Sequence, residues 1–301
     1  MLVLPRLQSV NEYNQDLPTP SHSSWQAGIC LISYGVRIGI RVNVPKILER
    51  LIEYLPPGWE PSQSSEVDQI YSLIVYQETN NSDSLLYYKL YFDQEELSNT
   101  TNLEDVLETL DSELRLQVGI AVKDWLFVHA GVVGWRGKAI VIPGRSFSGK
   151  TTLVAALVKA GATYYSDEYA VLDANGLVHP YPRRLSIRQG EGKRVKRCPV
   201  EELGGTAGTE PLPIGLIVHV QYQPGVQWCP KPMSSGHGVL ALLDNTIVAS
   251  LRPDFALPIL ASAVFGALCL EGTRGEAENA AMALLQQLEA EFFCQLEKFI
   301  Y

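Results

Sequence analysis

Strict alternation of apolar residues at Ile32, Tyr34, Val36, Ile38, Ile40 and Val42 predicts a long strand or hairpin over Ile29 to Val44. Helical spacing then takes over at Ile47, Leu48, Leu51, Ile52 and Leu55, opened by Pro45 and stopped by Pro56-Pro57-Gly58. Two more strands are expected near Ile70 to Gln77 and Leu85 to Phe92, joined by a turn over Asn80 to Asp83. A helix follows from a cap at Asn102 to about Val122, with Leu103, Val106, Leu107, Leu110, Leu114, Leu116 and Val118 on its spacing. Preceded by an irregular lead-in, residues 1–122 read as a small α+β module without a polar cluster of catalytic type.

Beyond Asp124 the pattern changes to short apolar runs punctuated by glycine. Strands are expected at Leu126 to Val133, Ala139 to Ile142, Ala162 to Tyr165, Tyr169 to Leu172, Ile214 to Val220, Gly238 to Leu243 and Ile247 to Leu251. Residues 253–300 read as mostly helical, in two segments near 254–270 and 274–298. The fold class is α/β, and residues 123–301 form its second domain.

Composition narrows the setting. Apolar residues make up 46% and charged residues 19%, the balance of a globular protein. The absence of a membrane-length apolar run or a leader pattern makes the cytoplasm the expected location and leaves no role for a membrane. A net charge of -9 argues against a nucleic-acid partner. Five dispersed cysteines without CxxC spacing suggest neither a disulfide framework nor a zinc site. One stretch runs against the overall charge: Arg183, Arg184, Arg188, Lys193, Arg194, Lys196 and Arg197 face a single acid, Glu191. It reads either as a solvated basic loop or as a place for an acidic or phosphorylated partner.

The chemistry concentrates in Pro143-Gly-Arg-Ser-Phe-Ser-Gly-Lys-Thr-Thr152. Gly144, Gly149, Lys150 and Thr151 satisfy the pattern of a phosphate-binding loop, preceded by an expected strand and followed by an expected helix that Gly161 ends. Backbone N–H groups of Gly144, Arg145, Ser146, Phe147, Ser148, Gly149, Lys150, Thr151 and Thr152 would face the phosphates, Lys150 would span them, and the Thr151 hydroxyl would ligate Mg²⁺. The next strand runs into Asp167 and Glu168, where a carboxylate could hold the metal or accept a proton. Upstream, His129 lies on an apolar strand, where a packed histidine is the alternative to a functional one. A nucleotide-binding sensor or regulatory protein without phosphotransfer fits the same loop. An ordinary P-loop GTPase or ATPase does not, because neither a distant Walker B aspartate nor an Asn-Lys-x-Asp motif is present.

His129-Ala-Gly-Val-Val133, the loop and the Asp167-Glu168 pair together resemble the core of the HPr kinase/phosphorylase group, itself similar to ATP-dependent phosphoenolpyruvate carboxykinase. The resemblance covers about residues 124–270 and extends to Ile214-Gly-Leu-Ile-Val-His-Val220 and to the segment Leu251 to Leu260. It implies a P-loop kinase core binding ATP and Mg²⁺. Asp167 would be the base that deprotonates the acceptor, Glu168 a metal or orienting ligand, His129 a group that either supports the acids from behind or faces the phosphate, and Arg252 a nucleotide contact. Thr151 stands where the family has serine, and Glu168 where it has a second aspartate. The family's glycine-containing stretch after the acids is replaced by Tyr181-Pro-Arg-Arg-Leu-Ser-Ile-Arg188, which turns the expected acceptor from HPr towards a peptide or protein serine or a small metabolite. Tyr181, Arg183, Arg184 and Arg188 are the candidate acceptor contacts. A homo-oligomer is compatible with the resemblance.

Overall fold

A computed structural model describes residues 25–80, 83–145, 148–188 and 195–300. Mixed sheets and six α-helices make up the described residues, an α/β fold. The chain divides into two compact units, 1–123 and 124–301.

The first unit is a six-stranded sheet of β1 (Ala27–Ser33), β2 (Val36–Val42), β3 (Glu60–Pro61), β4 (Gln69–Asn80), β5 (Asp83–Phe92) and β6 (Glu95–Thr100), in the order β3-β1-β2-β4-β5-β6. The expected strand over 29–44 is the β1–β2 hairpin, turned at Tyr34 and Gly35. Helix α1 (Lys46–Leu51) follows Pro45. In α2 (Leu103–Ala121) the Asn102 side chain accepts the Glu104 N–H, and Val106, Leu107, Leu110, Leu114 and Val118 are fully buried. That cap removes one of the orphan donors of the first turn.

The second unit holds an eight-stranded sheet. Its strands are β7 (Leu126–Trp135), β8 (Lys138–Pro143), β9 (Thr163–Ser166), β10 (Tyr169–Leu172), β11 (Val178–His179), β14 (Ile214–Tyr222), β15 (Lys231–Pro232) and β16 (Leu268–Arg274). The order is β11-β10-β7-β8-β14-β16-β15, with β9 added against β7. β8, β14 and β16 are parallel, whereas β7 is antiparallel to β8, β9 and β10. A separate hairpin joins β12 (Leu185–Arg188) to β13 (Val195–Cys198).

The parallel strands are apolar on both faces because helices cover both. Ile140 and Ile142 pack towards α3 (Lys150–Lys159) and α6 (Ala277–Ile300), and Ala139 and Val141 pack in the core that includes α4 (Ser235–Leu243) and α5 (Pro253–Val264). Arg136 and Gly137, both at positive φ, make the tight β7–β8 turn, the backbone pair that a two-residue hairpin needs to match strand twist.

Three sequence expectations fail here. Gly238 to Leu243 is helical, capped by Ser234, whose hydroxyl accepts the His237 N–H. Ile247 to Leu251 leaves the sheet after one bond from Ile247 to Phe127 and folds into turns closed by Leu251 and Arg252 on Val248. The helix expected to 270 stops at Val264, and Leu268–Arg274 pairs with β14 as a parallel strand. Short apolar runs carry no periodicity long enough to separate helix from strand, so the neighbour each run meets decided all three.

Candidate functional site

The site is organised by the backbone of β7 at His129 and Ala130. Along one edge β7 pairs first with β10 over 126–129 and then with β9 over 132–134. Where the partner changes, the β9–β10 link carries Asp167 and Glu168 across the strand, and the Ala130 N–H donates to the Glu168 carbonyl at 3.0 Å. At the preceding residue the His129 carbonyl accepts the Gly144 N–H at 3.2 Å, and the His129 N–H donates to the Asn245 carbonyl at 2.7 Å. The two faces of one peptide group, between His129 and Ala130, thus hold the start of the glycine loop and the acid pair.

The loop leaves β8 at Pro143 and enters α3 through Gly149, whose φ of +85 is left-handed. Leu153 is the first residue to bond back into the helix, from its N–H to the Gly149 carbonyl at 3.1 Å. The N–H groups of Lys150, Thr151 and Thr152 therefore lie in the first turn, where an α-helix has no internal acceptors and favours an anion. Lys150 is 7% exposed and folds its ammonium back, donating to the carbonyls of Gly144 at 2.7 Å and Arg145 at 2.8 Å. Burial lowers its pKa from the usual lysine range, and the charges of Glu168 and Asp167 partly restore it. Ser148 closes the loop, its N–H on the Arg145 carbonyl at 3.2 Å. Ser146 and Phe147 lie outside the described residues.

The two acids have different surroundings. Asp167 is 3% exposed and uses both oxygens: Oδ1 accepts the Tyr164 hydroxyl at 2.9 Å, and Oδ2 accepts the Thr151 hydroxyl at 3.0 Å and the Ser186 N–H at 3.3 Å. Ser166 shapes the turn, its hydroxyl accepting the N–H groups of Glu168 and Tyr169. Glu168 has longer contacts, Oε1 with His129 Nε2 at 3.5 Å and Oε2 with Arg183 Nη1 at 3.6 Å, and it remains partly exposed. Among the described residues no group of at least 3 His, Cys, Asp or Glu side chains is placed to hold a metal ion. A hydroxyl and one carboxylate, Thr151 and Asp167, suit Mg²⁺ carried in with phosphates, which needs only one or two protein oxygens.

Lys150, Thr151, Asp167, Glu168, His129 and Arg183 are thereby brought together. Tyr181 is not an exposed acceptor contact: it is fully buried, edge-on to Phe127 and Tyr169. Arg184 is exposed at the entry to the β12–β13 hairpin. The Arg188 side chain, Lys193 and Arg194 lie outside the described residues. Lys196 is paired with Glu202 at 2.6 Å. Arg252 caps α5 with its guanidinium 4.1 Å from the Phe255 ring centre, a contact within its own helix. Arg274, which spacing did not single out, donates from the end of β16 to the Gly149 carbonyl at 3.0 Å. Its only sequence signal was a lone cation after Glu271-Gly-Thr273, beyond the apolar run Leu268-Cys-Leu270.

Compared with protein-family models and with curated proteins, the chain finds no match. No helix among the described residues is long and apolar enough to cross a membrane.

Proposed function

We propose that the chain is an ATP- and Mg²⁺-dependent kinase with a core of the HPr kinase type, which transfers the γ-phosphoryl group to a hydroxyl of a peptide, protein or small-molecule acceptor. One observation carries the reading: the Thr151 hydroxyl, in the first turn behind the glycine loop, is 3.0 Å from Asp167, while Glu168 stands next to it between His129 and Arg183. A glycine loop able to cradle phosphate and a carboxylate pair lie side by side, a combination that suits phosphoryl transfer.

The surroundings favour a division of labour between the acids that reverses the one expected from their order. Asp167, buried with both oxygens engaged, suits the task of holding Thr151 and a metal ion; Glu168, more exposed and standing beside His129 and Arg183, suits proton abstraction from the acceptor hydroxyl. The metal, when bound, would neutralise charge on the phosphates. Lys150 would exchange its bonds to Gly144 and Arg145 for phosphate oxygens, and the first-turn N–H groups of α3 would face the same anion. His129 and Arg183 would hold Glu168 in line with the acceptor. The acceptor oxygen then forms its bond to the γ-phosphorus as the bond to the bridging oxygen breaks, and its proton passes to Glu168.

The test is transfer of label from γ-labelled ATP to acceptors in a cell extract. Glu168→Gln should reduce transfer by about 10²-fold to 10⁴-fold while nucleotide binding persists. Asp167→Asn should chiefly raise the Mg²⁺ concentration required. Transfer that survives both substitutions together overturns the reading, and nucleotide binding without transfer to any acceptor turns it to a regulatory protein.

A further inference from the structure

Arg274 of the second unit is a buried cation with no carboxylate ion-paired to it among the described residues. Arg274 is 2% exposed, and its Nη1 and Nη2 donate to backbone carbonyls, Gly275 at 2.8 Å and Gly149 at 3.0 Å. Its Nε is buried with no hydrogen-bond partner among the described residues. No described carboxylate is ion-paired with it; Glu276 and Glu278 act on it from a distance, and the Tyr222 ring centre lies 5.2 Å away. A guanidinium keeps its charge in a protein, so burying one without a counterion costs stability.

The placement explains why such a group would be retained. Arg274 sits opposite Tyr222 at the carboxyl ends of the parallel strands β16 and β14, the edge where ligands of open α/β sheets bind. It packs on the residue that turns the loop into α3: a Cβ at Gly149 would come 2.6 Å from Nη2. The guanidinium therefore both holds the Gly149 carbonyl and occupies the space that any side chain there would need.

We propose that Arg274 is a positioning residue for the polyphosphate of a nucleotide: it clamps Gly149 in its left-handed conformation and gives the loop a fixed positive charge whose counterion is the bound phosphate. This rests on the nucleotide reading above and deepens it. Arg274 acts through Gly149 and through its field, not by contact. Among the described residues its charge has no ion-pair partner, only the more distant Glu276 and Glu278, and phosphate binding would supply a nearer one. A purely structural arginine predicts the opposite pattern, in which substitution weakens the free protein and leaves the gain on ligand binding unchanged.

The experiment uses the full chain and inorganic tripolyphosphate as the probe, with binding read by calorimetry and thermal midpoints read with and without probe. Arg274→Met should melt at or above the wild-type temperature without probe, bind tripolyphosphate about tenfold or more weakly, and lose most of the probe-induced rise in midpoint. Arg274→Lys, which keeps the charge, should recover much of the affinity. Wild-type affinity in Arg274→Met overturns the inference, as does a lower ligand-free midpoint with an intact probe-induced rise. If Arg274→Met does not fold, Arg274→Gln decides: it keeps a donor for Gly149 but no charge, so wild-type affinity overturns the inference and a tenfold loss supports it. A wild-type chain that binds no tripolyphosphate overturns the nucleotide reading itself, an outcome distinct from all of these.

Discussion

Lys150 illustrates how a single residue carries both a cost and a function. Buried and bonded only to carbonyls, it has a pKa below the 10.5 of a free lysine. The unfolded chain therefore holds this proton to higher pH than the folded one, and just below pH 10.5 the unfolded state binds more protons. Lys150 thus makes stability rise with pH across that window. Replacing it with methionine should flatten this part of the stability profile, measured by denaturant unfolding at several pH values, and should abolish tripolyphosphate binding at neutral pH. The residue types of this candidate site stood out in the sequence because the phosphate chemistry proposed for it calls for them: glycines, a lysine and a hydroxyl at fixed spacing, then acids after the next strand. Their partners were not. The Thr151–Asp167 and Arg183–Glu168 contacts depend on how β9, β10 and the following segment return to the loop, and nothing in local spacing encodes that path. Tyr181 was misread for the same reason, since a tyrosine beside arginines looks exposed until Phe127 and Tyr169 close around it. Tyr181→Ala should accordingly destabilise the fold by about 3–5 kcal/mol, the range for removing a buried aromatic ring. Unfolding in urea would read it.

At the scale of elements, long periodic segments were legible, and short ones were read correctly at β8, β9 and β10 but not at Gly238 to Leu243, Ile247 to Leu251 or β16. The β1–β2 hairpin and α2 follow from sustained alternation and helical spacing. β16 was missed because Leu268-Cys-Leu270 is too short to show a period, and its parallel pairing with β14 is set across the sheet. The strand-to-helix junction at Gly149 is a constrained point in the loop. A substitution to alanine there meets both a left-handed φ and the Arg274 guanidinium. Gly149→Ala should lower stability by about 1 kcal/mol or more and weaken tripolyphosphate binding, readable as a lower thermal midpoint and a smaller probe-induced shift.

At the scale of the whole molecule, every contact assembled at the site lies within residues 124–301, a compact unit with helices on both faces of its own sheet. A unit with its own core has the means to fold alone. Expressed separately, residues 124–301 should show a cooperative thermal transition and bind tripolyphosphate with an affinity close to that of the full chain. A large loss would mean that residues 1–123 contribute to the anion site.

The exchange of neighbours along β7 has a mechanical corollary. The single amide plane between His129 and Ala130 tethers the glycine loop through its carbonyl and the acid-bearing link through its N–H, so this short piece of backbone is a common fulcrum. Under the proposed reading, a tilt that draws the loop towards an anion would also shift the carboxylates, so that retuning one half by substitution would disturb the other.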